Sequence, residues 1–171
     1  MKIKGQIEVW EPTPKKIIKE ILHFSQISSQ DTIFDLGCGD GRIIIPAAKI
    51  YGARAVGFEI DPWLVKETKK KAKKNNVNVE VYEQDIAKVS LSQATVVYLY
   101  LSDDVIHDIF PIIYEKCEKG TKLVVLSPGW VTKKFPIKHK KYPPYKEMKI
   151  NVWCGKWYVT DSWKIRMWIR G

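Results

Sequence analysis

Cysteine, histidine and long apolar runs are all scarce in this chain of 171 residues. The three cysteines, Cys38, Cys117 and Cys154, are odd in number and widely spaced, which predicts neither a disulfide framework nor a zinc site. The three histidines are equally scattered and lack metal-ligand spacing. No apolar run approaches the ~18 residues of a membrane-spanning helix, and residues 1–5 do not resemble a signal peptide. We therefore expect a cytoplasmic protein that binds neither metal nor membrane.

Positive charge and tryptophan are abundant instead. With 45% hydrophobic residues and seven tryptophans, the chain has the composition of a packed globule, and its length suits one domain. Of the formal net charge of +10, nine lysines and two arginines against two acids place +9 in residues 133–171. Residues 66–74 hold six further lysines and one glutamate. Such basicity suits an acidic partner, either nucleic acid or protein. For the 66–74 cluster, the alternative is the solvated face of a helix.

The most informative stretch is a glycine-rich turn between a predicted strand and a predicted helix. It reads Asp35-Leu36-Gly37-Cys38-Gly39-Asp40-Gly41-Arg42. Glycines let the backbone turn tightly and approach a ligand with no Cβ in the way, and the helix start behind them offers N–H groups to an anion. Glu59 ends the next apolar run, 20 residues after Gly39. A nucleotide-binding βαβ unit places there the carboxylate that holds ribose hydroxyls, so the predicted ligand contains a ribose.

The spacing also discriminates between ribose ligands. A dinucleotide fingerprint is Gly-x-Gly-x-x-Gly, whereas here the third glycine, Gly41, comes one residue early. Asp35 stands at the strand end, where its charge would repel a pyrophosphate and attract a cation. S-adenosylmethionine carries a sulfonium and an ammonium at that end and therefore fits better. A third acid, Asp85, follows the run at 77–82 and can accept from an adenine amino group. The alternative is that Asp85 only caps a turn.

Apolar periodicity predicts alternating strands and helices, and hence a parallel sheet covered on both faces. Pro14 suits the first turn of an early helix, and Asp61-Pro62 marks the start of another. Two later segments alternate strictly, which predicts an antiparallel pair at the sheet edge with one more exposed face. The predicted strands lie near 32–36, 54–59, 78–84, 94–100, 121–127, 148–152 and 163–169, the helices near 41–51, 62–75 and 103–117, and a loop at 133–145.

These motifs resemble those of class I S-adenosylmethionine-dependent methyltransferases. The lead-in Glu11-Pro12-Thr13-Pro14, with segments 34–49 and 94–101, is similar to a compact group of protein-lysine methyltransferases, small archaeal enzymes with mitochondrial relatives. The resemblance, from about residue 10 to about 127, implies a Rossmann-like α/β fold. Its seven-stranded sheet would be mostly parallel, with helices on both faces and an antiparallel C-terminal edge. It implies a single domain with an N-terminal helix segment (10–30), a cofactor-binding core (31–127) and a basic, Trp-rich hairpin (128–171).

The resemblance also implies which residues bind S-adenosylmethionine. In open α/β sheets ligands lie beyond the carboxyl ends of the strands, so the motifs should surround one crevice. Tyr98, Tyr100 and Trp130 could line a channel that desolvates a lysine amine and attracts its ammonium form, although the alternative for each is a place in the core. The cofactor-binding positions are Thr13, Asp35, Gly37, Cys38, Gly39, Gly41, Arg42, Glu59, Ile60, Gln84, Asp85, Ile86 and Tyr100.

Residues after the fourth and fifth strands bear on the methyl acceptor. Enzymes that methylate exocyclic base amines usually carry a polar residue and Pro-Pro-aromatic after the fourth strand, where this chain reads Tyr100-Leu101-Ser102-Asp103. Tyr142-Pro143-Pro144-Tyr145 comes after the fifth strand, and we interpret it as a rigid loop. The lysine methyltransferases tend to have a His or acid after the fifth strand, whereas here Ser127-Pro128-Gly129-Trp130 follows. We predict methyl transfer to protein lysine; the alternatives are an RNA methyltransferase and a non-enzymatic cofactor-binding module.

Overall fold

The computed structural model describes residues 2–3, 6–7, 10–128, 142, 144–153 and 160–171. A small antiparallel pair, β1 (Lys2–Ile3) and β2 (Gln6–Ile7), comes first in the chain. A 3-10 turn (Lys15–Ile17) then leads into helix α1 (Ile18–Phe24), with Pro14 immediately before the turn, as predicted. The part of the chain that the structure describes contains no helix long and apolar enough to cross a membrane.

Strands and helices alternate through the body of the molecule because short apolar runs are separated by turn residues. Asp61 caps the second of the three following helices, with its Oδ1 accepting from the Trp63 N–H at 2.8 Å, and Pro62 occupies its first position. The elements are β3 (Thr32–Leu36), α2 (Ile44–Tyr51), β4 (Arg54–Glu59), α3 (Pro62–Lys74), β5 (Glu80–Glu83), β6 (Val96–Leu99), α4 (Asp103–Lys116), β7 (Lys122–Pro128), β8 (Lys146–Trp153) and β9 (Thr160–Ile169).

Seven strands form one sheet in the order β5-β4-β3-β6-β7-β9-β8. The first five run parallel, and β9 is antiparallel to both β7 and β8. The predicted fold, mostly parallel with an antiparallel C-terminal edge, is confirmed. Chain order reverses between β3 and β6, and this switch point is where a doubly wound sheet opens its ligand crevice.

Two layers of buried side chains cover the faces of the sheet. One layer packs strand residues such as Phe34 and Val97 against Phe110 of α4. The other packs the alternate residues, such as Ile33 and Tyr98, against α1 and α2. Because both faces are covered, the parallel strands are apolar almost throughout, as their sequences predict.

The structure refines two expectations from the sequence and leaves a third largely untested. Helix α2 begins at Ile44 instead of near residue 41, because residues 41–43 are still in the turn that the glycines form. The more exposed face predicted for both late strands belongs to β8, which lies at the edge; β9 lies between two strands and is mostly buried. Most of the loop predicted at 133–145 lies outside the described residues, although Tyr142 is buried against α4.

Candidate active site

Polar and aromatic side chains meet at the carboxyl ends of the parallel strands. Asp35 lies in β3 opposite Tyr98 of β6, and Glu59 is the last residue of β4. Asp85 follows β5, and Tyr100 directly follows β6. Since these strands are neighbours around the switch point, the sheet brings the acids and the tyrosine to a single edge.

The glycine turn has the backbone conformation that its sequence predicts. Gly37, Gly39 and Gly41 have φ values of +91°, +52° and +80°, in the left-handed region that side chains disfavour. A Cβ on Gly41 would lie 2.7 Å from Thr68 Cγ2 of α3, so this glycine lets the helix pack closely. Thr68 also donates its hydroxyl to the Gly39 carbonyl at 2.8 Å. The turn is therefore fixed by α3 as well as by its own glycines.

Glu59 organises the backbone around the crevice. It is 8% exposed, and its Oε2 accepts the N–H of Gly39 at 2.9 Å. Its Oε1 accepts the N–H groups of Ile60 and Asp61 at 2.8 and 3.0 Å. A carboxylate offers about four acceptor sites, so the three backbone bonds leave about one for a ligand. The ribose-binding carboxylate predicted from the sequence is thus also the clamp that joins the glycine turn to the end of β4.

Asp35 is a buried carboxyl group without a cation. It is 3% exposed, and burial, with the added charges of Glu59 and Asp40, raises its pKa well above the usual value. Among the described residues, none donates a hydrogen bond to its carboxylate or pairs with it. An acid of this kind favours a cationic ligand, whose charge would bring the pKa down again.

Asp40, on the glycine turn, has the opposite environment. Burial would raise its pKa, but hydrogen bonds and positive charge from Arg42 and Lys71 outweigh burial and lower it. Arg42 Nε and Lys71 Nζ lie 2.8 and 2.6 Å from its two oxygens. Arg42 also donates to the Thr13 carbonyl at 3.0 Å, and its guanidinium lies 5.8 Å from the centroid of the Trp10 ring. Arg42, predicted to bind the cofactor, thus ties the lead-in segment to the glycine turn.

The remaining predicted cofactor positions differ in accessibility. The Cys38 thiol is buried, which raises its pKa and keeps it neutral. Asp85 accepts the Ala87 N–H through Oδ1 at 3.0 Å, so one of its oxygens caps a turn. Gln84 donates its N–H to the Glu59 carbonyl at 2.9 Å, Ile86 is buried, and Ile60 is exposed beside Glu59.

The two tyrosines of the predicted substrate channel have different surroundings. Tyr98 is 2% exposed within the layer that faces α1, and its hydroxyl lies 3.4 Å from Thr13 Oγ1. Tyr100 is half-buried, and its ring packs edge-on against Trp163 of β9 at a centroid distance of 5.8 Å. Tyr98 therefore supports the lead-in segment, whereas Tyr100 reaches the crevice edge. Trp130, the third residue predicted for the channel, lies outside the described residues.

Sequence reasoning missed several residues at this edge. Trp10 covers Gly39 so closely that a Cβ on the glycine would lie 2.4 Å from the indole Nε1. Glu11 lies beside Tyr100, where its charge acts on the phenol. Trp163 comes from a strand that is far away in sequence. No local motif marks any of the three, although the lead-in that contains Glu11 carried part of the family resemblance.

A glycine turn after the first parallel strand, with acids at the carboxyl ends of the next two strands, is typical of class I S-adenosylmethionine-dependent methyltransferases. The ANTKMT methyltransferase domain matches residues 35–139, and the chain belongs to this family. Its cofactor is S-adenosylmethionine.

Relatives of known name agree on methyl transfer. The chain is 36% identical over 116 residues to a protein-lysine N-methyltransferase of Saccharolobus islandicus, and the match covers 66% of this chain and 72% of that protein. It is 41% identical over 71 residues to the human lysine N-methyltransferase of the ATP synthase C-subunit, but these residues cover only 40% of this chain and 30% of the human protein. The crystal structure of an RNA methyltransferase from Salinibacter ruber, in complex with S-adenosyl-L-homocysteine, superposes with a TM-score of 0.76 and is 34% identical over 94% of both chains.

Proposed function

We propose that this methyltransferase acts on the side-chain amine of protein lysines. The observation that carries the proposal is the carboxyl end of β6, where Tyr100 packs against Trp163. Enzymes that methylate an exocyclic base amine usually carry a polar residue followed by Pro-Pro-aromatic after this strand, and Tyr100-Leu101-Ser102-Asp103 lacks that signature. The similarity to two named lysine methyltransferases supports the same acceptor.

We further propose how the chain holds the cofactor. Glu59 takes a ribose hydroxyl with the acceptor site that its backbone bonds leave, and the free oxygen of Asp85 accepts from the adenine amine. Asp35 faces the positive charge of the ligand, since it is a buried acid with a raised pKa, no described cation pairs with it, and a cationic ligand would compensate its charge. The residues present therefore fit S-adenosylmethionine. When bound, it supplies a methyl group on a sulfonium.

The chain contributes position and desolvation to the reaction. A lysine amine has a pKa near 10.4 in water and therefore arrives protonated. An aromatic wall that excludes water disfavours the charged form and lowers that pKa. Tyr100 remains a neutral phenol in this role, because burial, followed by the charge of Glu11, raises its pKa. The rate is expected to rise with pH toward the amine pKa, since only the neutral amine has a lone pair with which to attack.

An RNA acceptor is the second candidate, favoured by the 34% identity to the Salinibacter ruber enzyme over nearly the whole chain. The exposed lysines of α3, among them Lys66, Lys69 and Lys73, would contact phosphates. The basic C-terminal segment, residues 133–171, supports an RNA acceptor less than its net charge suggests. Arg166 is buried in an ion pair with Glu147, and Arg170 pairs with Glu115 at 2.9 Å.

Labelled S-adenosylmethionine, incubated with the purified chain and separate pools of protein and RNA, distinguishes the candidates. We expect mass spectrometry to find the label on lysine side chains of protein, including those of the chain itself. Label in RNA and none on protein lysine would replace this proposal with the second candidate. Cofactor binding without any transfer would indicate a binding module. A cytoplasmic location belongs to the same proposal and is tested by cell fractionation.

A further inference from the structure

The hydroxyl of Tyr100 is buried, yet it makes no hydrogen bond to any described residue. Buried hydroxyl groups nearly always have a partner, so an orphan at the edge of a crevice indicates a place for a ligand atom. Tyr100 comes one residue after Leu99, which pairs with Leu36 just before the glycine turn. The next residue, Leu101, has its Cδ2 only 3.1 Å from where a Cβ on Gly37 would lie. The backbone of Tyr100 is therefore beside the glycine turn, and its side chain extends to Trp163 and Glu11.

Glu11 adds a negative charge at this position. The residue is exposed, and its carboxylate acts on the Tyr100 phenol through its charge and through a weak hydrogen-bond interaction that lies outside ordinary hydrogen-bond geometry. Both effects add to burial in raising the Tyr100 pKa. None of the described cations forms an ion pair with it. In a chain of net charge +10, an exposed carboxylate at the crevice that is unpaired among the described residues is a local exception that attracts cations.

The segment that carries Glu11 is held in place from both sides. Thr13 lies 3.4 Å from the buried Tyr98 hydroxyl, and its carbonyl accepts from Arg42 at 3.0 Å. Trp163 packs edge-on against Tyr100 as a second aromatic ring, and the pairing of β9 with β7 fixes its position. A carboxylate, an unpartnered hydroxyl and two aromatic rings thus converge from three distant parts of the chain.

We infer that Glu11, Tyr100 and Trp163 form the site that binds the ammonium group of the acceptor lysine. The inference rests on the proposed lysine activity and names the residues that serve it. The exposed Glu11 carboxylate draws the ammonium to the crevice, the rings hold it by cation–π attraction, and the Tyr100 oxygen accepts one of its N–H groups. Because water screens an exposed carboxylate, Glu11 acts in capture, and the buried wall formed by the two rings favours loss of the proton to solvent.

Glu11→Gln tests the inference, since it removes the charge and keeps the shape. We expect the KM for a lysine-containing peptide to rise about fivefold to tenfold, with a weaker dependence of KM on salt than in the wild type. The affinity for S-adenosyl-L-homocysteine, measured by calorimetry, should change less than twofold. Glu20→Gln is the matched control, because Glu20 is an exposed carboxylate in the first turn of α1 and is not among the groups that shift the Tyr100 pKa.

Tyr100→Phe keeps the ring on Trp163 and removes only the hydroxyl. We expect a threefold or larger rise in the same KM, and an effect in the Glu11→Gln, Tyr100→Phe double variant that is smaller than the product of the two single effects. Thermal unfolding establishes that each variant is folded.

Two outcomes would overturn the inference. If the wild type labels lysine but Glu11→Gln changes KM no more than Glu20→Gln does, the ammonium binds elsewhere and the proposed function stands. If the wild type labels only RNA, both proposals are wrong. An unchanged KM for RNA in Glu11→Gln would then show that a neutral base amine does not need the Glu11 carboxylate.

Discussion

The two halves of the sheet present different chemistry to one crevice. The acidic half, β3, β4 and β5, ends in the carboxylates Asp35, Glu59 and Asp85. The aromatic half, β6, β7, β9 and β8, contributes Tyr100 and Trp163 at the same edge. Burial of the carboxyl groups in the acidic half is unfavourable. A cationic ligand that also carries hydroxyl groups can compensate for this cost. The aromatic half offers a wall of low polarity, where a protonated amine is easier to discharge. The sheet thus supplies its carboxylates from the strands on one side of the switch point and its aromatic rings from the strands on the other side.

The halves also differ in how they are held together. In the acidic half Glu59 bonds to its neighbours Ile60 and Asp61 and also reaches back 20 residues to Gly39. In the aromatic half Arg166 Nη1 donates to Ser127 Oγ, 39 residues away, at 3.2 Å. Substitutions can therefore damage one half selectively, and their effects on cofactor affinity should decline from the acidic half to the aromatic half.

Gly39→Val should abolish measurable S-adenosylmethionine binding, a loss of more than about a hundredfold. The branched side chain would meet the Trp10 indole, with Nε1 2.4 Å from the new Cβ, at a residue whose φ of +52° already disfavours side chains. Calorimetry measures the loss. Gly120→Ala is the control, because Gly120 also has a positive φ but a Cβ there would meet nothing within 4 Å. Normal binding by a folded Gly39→Val protein would mean that the turn serves packing only.

Glu59→Ala should weaken cofactor binding at least tenfold without unfolding the domain. Hydrogen bonds to a charged group are worth about 1.5–3 kcal/mol each, and this variant loses the proposed bond to the ribose along with the bond to the Gly39 N–H. Calorimetry with S-adenosylmethionine provides the measurement, and Glu83→Ala, an exposed acid at the end of the neighbouring β5, provides the comparison. An unchanged affinity would remove Glu59 from the cofactor site.

Asp35→Asn should weaken S-adenosylmethionine binding about fivefold and stabilise the free protein. Because the pKa of Asp35 is raised in the folded protein, ionisation of this carboxyl group destabilises the fold. The loss of stability develops as pH rises from the pKa of the unfolded state, about 3.9, through the pKa of the folded state. The Tm gain of the variant should therefore grow between pH 4 and pH 8, reaching about 2–4 °C, which corresponds to about 1 kcal/mol for a chain of this size.

Asp40→Asn is the control, and we expect it to have the opposite effect on stability. Its pKa is lowered through Arg42 and Lys71, so its contribution to stability is present above the unfolded pKa and is lost as pH falls through the folded one. We expect a lower Tm at pH 7 and a smaller difference at pH 3. Equal responses of the two variants would show that the two carboxyl groups do not differ in environment as described.

Arg166→Met should leave cofactor affinity unchanged and reduce stability by about 1–3 kcal/mol, because it leaves a buried hydroxyl, Ser127, with one partner fewer. Urea unfolding measures the loss. Arg170→Met removes the more exposed pair with Glu115 and should cost at most about 1 kcal/mol. A tenfold fall in cofactor affinity in Arg166→Met would show that the two halves are coupled.

The sequence could predict the acidic half because its signals are local. A strand end, three glycines and an acid 20 residues later specify a turn and a clamp without knowledge of the rest of the chain. The start of α3 was equally predictable, since Asp61 and Pro62 each have one strongly preferred position there. The same kind of signal misjudged only the start of α2, where the glycine turn continues for three residues.

The aromatic half could not be predicted to the same depth. Strict alternation in residues 163–169 indicates a strand but not its neighbours, so nothing marked β9 as an inner strand or Arg166 as buried. The proximity of Glu11 to Tyr100, and of Tyr100 to Trp163, depends on pairings across dozens of residues. Roles for these residues, and for the predicted cofactor contacts, remain predictions that the variants above test.

The position of β9 has a consequence during synthesis. All residues of the acidic half have been made by residue 85, whereas β9 begins 75 residues later. At about 5–20 residues per second, the apolar strand β7 has an open edge until β9 emerges to pair with it along seven residues. An uncovered edge of this kind is a template for wrong pairing. The nascent chain therefore passes through an interval when its predicted cofactor residues are complete and the edge of β7 is still unprotected.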